Sequence, residues 1–187
     1  MRGRFVQSSP GWPTSDAMVA DNDLALGRII EKITHSKFWD STVVFITQDD
    51  SQSGWDHISA YRTVGMVVSP YSKKGVTTTH YNQTSMIRTI EQILGIPPMH
   101  ILDATASPMF DCFDSIQRPD LFSFLPNNVP LDQMNKPLNA LKGKERAYAI
   151  ESLEELFNEV DGGKDDAMNK IIWFYKRGDE KFPLIKK

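Results

Sequence analysis

The sequence predicts an α/β fold in which helices cover a sheet. Two apolar runs, Thr42–Thr47 and Thr63–Val68, are rich in β-branched residues and do not alternate with polar ones, which is typical of strands buried on both faces. Segments with helical periodicity lie before the first run and after the second. This order of elements indicates an α/β architecture.

Composition limits the class of protein. The chain has 187 residues and a net charge of −3; because nucleic-acid-binding proteins present a basic surface, we expect no nucleic-acid partner. The single cysteine, Cys112, excludes an internal disulfide and a Cys-rich zinc site. No run approaches the ~18 apolar residues of a membrane span, and the first twenty residues lack the apolar core of a signal peptide.

The first helix is expected to begin at a cap formed by Ser15 or Asp16 and to run to about His35. The apolar residues of its predicted buried stripe are Leu26, Ile29, Ile30 and Ile33. The opening residues before this helix are loop-like and contain no strand or cap. We therefore expect the chain to be the carboxyl-terminal part of a longer ancestral protein or the product of a truncated gene.

Two carboxylates follow the first strand directly. Asp49 and Asp50 stand at its carboxyl end, where open α/β folds place their ligands, and the loop Ser51–Arg62 adds Asp56 and His57. Carboxylate oxygens combined with a neutral imidazole suit Zn²⁺ or Mn²⁺, whereas an oxygen-only set favours Mg²⁺ or Ca²⁺. The alternative is a solvated turn in which Asp56 caps the loop and His57 is only hydrogen-bonded.

A second helix is predicted after the loop 77–83, which carries His80. We expect Thr84 to cap this helix, Gly95 to end it and Pro97-Pro98 to prevent its continuation. The apolar residues of its stripe are Met86, Ile87, Ile90, Ile93 and Leu94. His80 is either a contact to a phosphate or metal or a solvated loop residue.

The remainder of the chain looks structural. A short helix capped by Asp103 is expected next, and the Pro-rich and Asn-rich span 118–137 indicates an irregular arm. Two carboxyl-terminal helices follow, the second over 165–177 and closed by a glycine. The apolar face of the first of these helices holds Ile150, Leu153 and Phe157. We therefore divide the chain into a domain 1–137 and a helical appendage 138–187.

A series of short motifs occurs in consistent order over about residues 10–110. The motifs are Met18–Ile29, Ser36–Trp39, Asp49–Gln52, Gly54–His57, Arg62–Thr63, Ser69–Tyr71, Ser85–Glu91 and Leu94–Pro98. This series resembles a bacterial phosphoesterase family of the alkaline phosphatase superfamily. The resemblance implies a three-layer α/β/α core and metal-assisted hydrolysis of a small phosphate mono- or diester through a Ser or Thr nucleophile.

The resemblance also implies roles for residues in the acidic segment. Asp49 and Asp50 match the family's acidic metal-ligand pair, and His57 matches its Asp-His element as a further ligand or a proton handler. Asp56 would orient His57 from the second shell, and Arg62 would hold a phosphate oxygen through its guanidinium. Arg62 is alternatively a surface charge or a partner for Asp56. The implied cofactor is a divalent metal, with Zn²⁺ or Mn²⁺ favoured over Mg²⁺.

The chain departs from the family pattern in the catalytic group. The family's nucleophile comes from a region that precedes everything in this sequence, so we expect no catalytic nucleophile in the chain. The positions of an Asn-Asp-His-Thr element, about Gly3–Phe5, hold no Asp or His, and Tyr61 stands where a His is common. We expect an incomplete phosphoesterase; the alternative is an inactive α/β binding or assembly module.

Missing strands would expose a sheet edge, which favours self-association or pairing with an upstream domain. Relatives of this family are commonly exported, although no export signal is present here.

Overall fold

The structure is a computed structural model that describes residues 13–48, 62–153, 165–178 and 181–182. Its helices and strands are α1 Ser15–Thr34, β1 Val44–Thr47, β2 Gly65–Val68, α2 Gln83–Leu94, α3 Ile101–Ala104, α4 Gly143–Glu151 and α5 Asp165–Arg177. Short 3₁₀ turns occur at Trp39–Ser41, Phe110–Cys112 and Leu138–Ala140. Among the described residues, no helix is both long and apolar enough to cross a membrane.

The described residues form two compact units. The first contains residues 13–28, 62, 124–153, 165–178 and 181–182, and the second contains 29–48 and 63–123. Both β-strands, α2 and α3 belong to the second unit. The mixed α/β class is therefore confirmed, whereas the domain boundary at residue 137 stays a prediction.

Helix α1 has the predicted extent but a different cap. The hydroxyl of Thr14 accepts a hydrogen bond from the Ala17 N–H at 3.2 Å, and the Thr14 carbonyl accepts from Met18 at 3.0 Å. Thr14 therefore satisfies the first free N–H groups of the helix, so the expectation of a cap at Ser15 or Asp16 is wrong. In the predicted stripe, Ile30 is buried, Leu26 and Ile33 are half-buried, and Ile29 is exposed.

Strands β1 and β2 form an antiparallel pair in which Val44 lies opposite Val68 and Thr47 lies opposite Gly65. The predicted strand positions are confirmed, but the predicted burial is not. The residues of β1 before Thr47 are half-buried, and Met66 of β2 is 41% exposed. Within the described residues these two strands pair only with each other, so a sheet covered on both faces does not form there.

Helix α2 begins and ends close to the predicted residues. Its cap is Asn82 rather than Thr84: the Asn82 side chain accepts from the Ser85 N–H at 2.9 Å, and the Ser85 hydroxyl accepts from the Asn82 N–H. Thr84 only donates its hydroxyl to Asn82. Gly95 ends the helix with φ 66°, the left-handed conformation that favours glycine.

The buried face of α2 is polar, contrary to the predicted apolar stripe. Its buried residues are Ser85, Thr89 and Glu91, whereas Ile93 and Leu94 are exposed. The reason is that the following segment supplies backbone donors to this face. The Thr89 hydroxyl accepts from the Met109 N–H at 2.9 Å and donates to the Ser85 carbonyl at 2.7 Å.

Glu91 and Asp103 form a buried carboxyl pair between α2 and α3. The Met99 N–H donates to Glu91 Oε1 at 3.3 Å and to Asp103 Oδ2 at 2.7 Å, and the His100 N–H donates to Asp103 Oδ1 at 2.8 Å. Asp103 therefore lies inside α3 and bonds back to its start, so the expectation that it is the capping residue is wrong. Arg88 lies 3.3 Å from the Glu91 carboxylate and provides its positive partner.

Acid is expected to weaken the fold through Asp103. The hydrogen-bonding interaction with the Glu91 side chain and the N–H groups of Met99 and His100 lower the pKa of Asp103 to about 2, against the opposing effect of burial. Because the folded-state pKa lies below the unfolded value of about 3.9, this carboxylate stabilises the fold above about pH 4, and its contribution is lost as the pH falls to about 2. In Asp103→Asn, the free energy of unfolding in urea should therefore depend less on pH between 4 and 2 than in the wild type.

The matched control for this prediction is Asp21→Asn, which removes an exposed carboxylate on α1. The control should keep the wild-type slope of unfolding free energy against pH. Equal slopes for Asp103→Asn and the wild type would contradict the assignment.

In the first unit, residues 13–16 contact residues from the later part of the chain. The Thr14 N–H donates to the Gln133 carbonyl at 2.8 Å, and the Asn135 side-chain amide donates to the Pro13 carbonyl at 3.1 Å. Lys176 of α5 pairs with Asp16 of α1. The span 118–137 contains no helix or strand, as predicted, and α4 and α5 occur where two carboxyl-terminal helices were predicted. The predicted apolar face of the first of them is wrong in its described residues, because Ile150 is 50% exposed and Leu153, which is 37% exposed, lies beyond the end of α4 at Glu151. Phe157 lies outside the described residues.

Candidate active site

The candidate site lies at one edge of the two-stranded sheet. Because β1 and β2 are antiparallel, the end of β1 and the start of β2 lie at the same edge. The Gln48 N–H extends the pairing by donating to the Val64 carbonyl at 3.2 Å. This main-chain bond joins the residue that follows β1 to the residue that precedes β2, and we call it the loop clamp.

The start of α2 contacts the same edge. Gln83 Nε2 donates to the Gln48 carbonyl at 3.0 Å, so the residue that precedes Asp49 is bonded to both β2 and α2. Helix α2 also packs closely on β2, because a Cβ atom added at Gly65 would lie only 3.1 Å from Met86 Cε. These contacts fix where the main chain enters the acidic segment.

The residues with the strongest predicted roles, Asp49, Asp50, Asp56 and His57, lie outside the described residues. Arg62 is described; it is exposed and lies two residues before Val64 of the loop clamp. Arg62 belongs to the first unit, whereas β1 and β2 belong to the second. The proposed ligand and phosphate-binding roles of these residues stay predictions.

A hydroxyl network around Asp111 lies in the same unit and was not predicted. Thr77 Oγ1 and Thr79 Oγ1 donate to Asp111 Oδ2 at 2.6 and 2.5 Å, and the Tyr81 hydroxyl donates to Oδ1. We call these four residues the Asp111 cluster. The three bonds join positions 30 to 34 residues apart in the sequence, so no local pattern connects them. The only sequence signal is the density of hydroxyl side chains in the 77–81 loop, which contains His80.

The Asp111 cluster strongly favours a charged carboxylate. The hydroxyls of Thr77, Thr79 and Tyr81, in that order of effect, hold the pKa of Asp111 far below its usual range. Partial burial, followed by the hydrogen bond to Asp111, raises the pKa of Tyr81. Because the Asp111 oxygens accept hydrogen bonds from three hydroxyl groups, the charged carboxylate stabilises the position of the 77–81 loop. Within the part of the chain that the structure describes, no group of three or more His, Cys, Asp or Glu side chains could hold a metal ion.

Comparison with known proteins identifies the family to which the part of the chain that carries α1, both strands and α2 is similar. Residues 13–97 match the model of the phosphoesterase family. The match covers α1, both strands and α2, and it includes the acidic segment from Asp49 to Arg62. It supports the resemblance to a phosphoesterase family and suggests hydrolysis of phosphate esters, whereas the assignment to the alkaline phosphatase superfamily stays a prediction. Searches of curated proteins and of solved structures gave no match.

Proposed function

We propose that the chain is the metal-binding part of a phosphoesterase that hydrolyses a small phosphate mono- or diester. The observation that carries this proposal is the match of residues 13–97 to the phosphoesterase family, because it includes the acidic segment at the end of β1. In the complete enzyme, β1 and β2 would belong to the sheet of a three-layer α/β/α core.

The proposed metal ligands are Asp49, Asp50 and His57. Two carboxylates and an imidazole are a donor set that suits Zn²⁺ or Mn²⁺ and accommodates Mg²⁺ less well. When bound, such an ion polarises phosphoryl oxygens and stabilises the negative charge of the transition state. Consecutive residues of an extended strand point to opposite faces, and β1 ends at Thr47, so Asp49 and Asp50 follow the end of regular pairing, where both can turn toward one ion.

The other two residues of the segment would orient a metal ligand and bind the phosphate group of the substrate. Asp56 would accept a hydrogen bond from the His57 ring and select the nitrogen available to the metal. Arg62 would donate two parallel hydrogen bonds to phosphate oxygens; the support for this role is that the family match includes it. The loop clamp keeps the two ends of the segment at a fixed separation. The attacking Ser or Thr hydroxyl is proposed to come from a segment outside this sequence.

Metal binding should stabilise the protein. A ligand present at 100 times its dissociation constant stabilises the state that binds it by about 2.7 kcal/mol. We therefore expect Mn²⁺ or Zn²⁺ at that excess to raise the free energy of unfolding by about this amount. The measurement is urea unfolding with the metal and with EDTA, using Ca²⁺ as a control ion that prefers oxygen-only sites.

The same samples should be assayed for hydrolysis of p-nitrophenyl phosphate and bis-p-nitrophenyl phosphate. The proposal predicts metal-dependent hydrolysis by this chain together with the nucleophile-bearing segment, or by a longer natural form that contains both. The absence of both stabilisation by the metal and hydrolysis in any form would contradict the proposal.

A second candidate function is an assembly module without catalytic activity. It is favoured by the two-stranded sheet, since an isolated pair of strands is marginal and further strands add stability. Exposed apolar side chains on the β2 side, with Val64 56% and Met66 41% exposed, support such pairing. This candidate predicts that the metal leaves unfolding unchanged and that the chain dimerises in analytical ultracentrifugation. A monomer stabilised by Mn²⁺ would exclude it.

A further inference from the structure

Helix α2 presents apolar side chains to solvent at its carboxyl-terminal end. On its buried side, Thr89 and Glu91 accept hydrogen bonds from backbone N–H groups of the following segment. On the opposite side, Ile93 and Leu94 are 52% and 64% exposed. Because a helix of a globular domain usually turns its apolar stripe toward the core, this orientation leaves an apolar surface open to a further contact.

The apolar surface continues through the turn after α2 into α3. Its side chains are between 49% and 75% exposed and lie within ten consecutive residues of the second unit: Ile93, Leu94, Ile96, Met99, Ile101 and Leu102. We call this surface the α2–α3 patch. Since α3 contacts α2, the patch forms one end of this unit.

No exposed Asp, Glu, Lys or Arg interrupts the patch. Between Ile90 and Ala106 the residues of these types are Glu91 and Asp103, which are 2% and 4% exposed. The other titratable residue of the stretch is His100, which is exposed. Charged residues are depleted from the cores of protein–protein interfaces. The patch therefore has the composition of an interface core, and two copies of it can meet without repulsion between fixed charges.

The size of the patch suits a contact between proteins. A fully exposed aliphatic side chain offers roughly 100 Å² of apolar surface, so the six side chains together leave roughly 350 Å² exposed. A standard interface buries about 800 Å² on each partner, and a little more than half of that area is apolar. The patch therefore supplies most of the apolar area that a stable dimer needs.

Hydrogen bonds hold the patch in one conformation. The Ile96 N–H donates to the Glu91 carbonyl at 3.0 Å. The Met99 N–H donates to the carboxylates of Glu91 and Asp103 at 3.3 and 2.7 Å. Because ordering a loop costs free energy on association, a turn that is already fixed favours binding.

We propose that the α2–α3 patch is the interface of a symmetric dimer of this chain, in which the patch of one copy meets the same patch of a second copy. A second copy matches the patch because it presents the same apolar surface, of the same size and without fixed charge. Identical surfaces meet about a two-fold axis, the commonest symmetry of protein oligomers. The dimer is independent of the proposed hydrolysis, and the patch contains no residue of β1 or β2.

Sedimentation equilibrium of the whole chain at micromolar concentrations tests this proposal. We expect the wild type to form a reversible dimer. Leu94→Asp and Leu102→Asp should each raise the dissociation constant at least about 100-fold, because an unpaired charge buried in an interface is strongly destabilising. Both side chains are exposed within one chain, so each variant should keep the wild-type midpoint of urea unfolding.

The matched control is Leu121→Asp. Leu121 belongs to the same unit and is 63% exposed, almost the same as Leu94, but it lies outside the patch. This variant should keep the wild-type dissociation constant.

A mixture of the wild type with Leu94→Asp tests the symmetry of the dimer. In a two-fold dimer the Asp side chain of one copy would face the apolar patch of the other, so mixed dimers should not form. In a head-to-tail contact, the wild-type patch would still bind the unchanged surface of the variant.

Three results would overturn the proposal. The first is a wild-type chain that stays monomeric, including one whose patch binds the nucleophile-bearing segment of the proposed enzyme instead. The second is a dimer that persists in both Leu94→Asp and Leu102→Asp, which would favour pairing through the strands. The third is the formation of mixed dimers between the wild type and Leu94→Asp.

Discussion

Asp49→Asn is expected to lower metal-dependent hydrolysis by more than about 100-fold. Loss of an outer-shell partner of a metal ligand alone costs about 10–100-fold in affinity or activity, and Asp49 is proposed to bind the ion directly. The substitution keeps the size of the side chain and removes its charge. The measurement is kcat/KM for p-nitrophenyl phosphate in the form of the protein that hydrolyses it, together with the bound metal per chain.

The control is Asp40→Asn, which removes an exposed carboxylate from the 3₁₀ turn before β1. It should retain wild-type activity and metal content, because it changes the net charge equally but lies before the strand. An active Asp49→Asn protein with unchanged metal content would remove Asp49 from the ligand set.

Thr89→Val should lower the free energy of unfolding by about 1–3 kcal/mol, the cost of leaving a buried polar group without a partner. Thr89 is 3% exposed and Met109 is 5% exposed, so the Met109 N–H has no access to water once the hydroxyl is removed. Valine keeps the branched shape of threonine, so the change removes only the two hydrogen bonds of the hydroxyl, from the Met109 N–H and to the Ser85 carbonyl. Urea unfolding should show a lower midpoint with an unchanged slope.

Thr89→Ser is the matched control, because serine keeps the hydroxyl and loses only a methyl group. It should be more stable than Thr89→Val. If Thr89→Val unfolds at the wild-type midpoint, the buried bond to Met109 does not stabilise α2 against the segment that follows it.

Local patterns predicted where the elements lie. Helix α2 was placed correctly because apolar spacing, Gly95 and the following prolines are all contained within about fifteen neighbouring residues. Its cap was misplaced because Asn82 and Thr84 are both good capping residues, and only the geometry of the Ser85 N–H selects Asn82.

Contacts between distant residues were not predictable from periodicity. The polar face of α2 is buried because Met99 and Met109 present backbone N–H groups to Glu91 and Thr89, and a hydropathy pattern contains no information on such donors. The Asp111 cluster was missed for the same reason. The residues of the acidic segment were identified from residue types and from the family resemblance, and their arrangement stays a prediction.

The loop clamp allows the acidic segment to change in length without a change in the pairing of β1 with β2. The pairing of β1 with β2 sets the strand register. A slip of one residue would turn every side chain of a strand to the opposite face of the sheet. Insertions or deletions between Gln48 and Val64 are therefore expected to leave the paired residues of β1 and β2 unchanged. Doubling the length of a flexible loop costs only about 0.6 kcal/mol. The length of this segment can therefore change while the two paired strands that flank it keep their register.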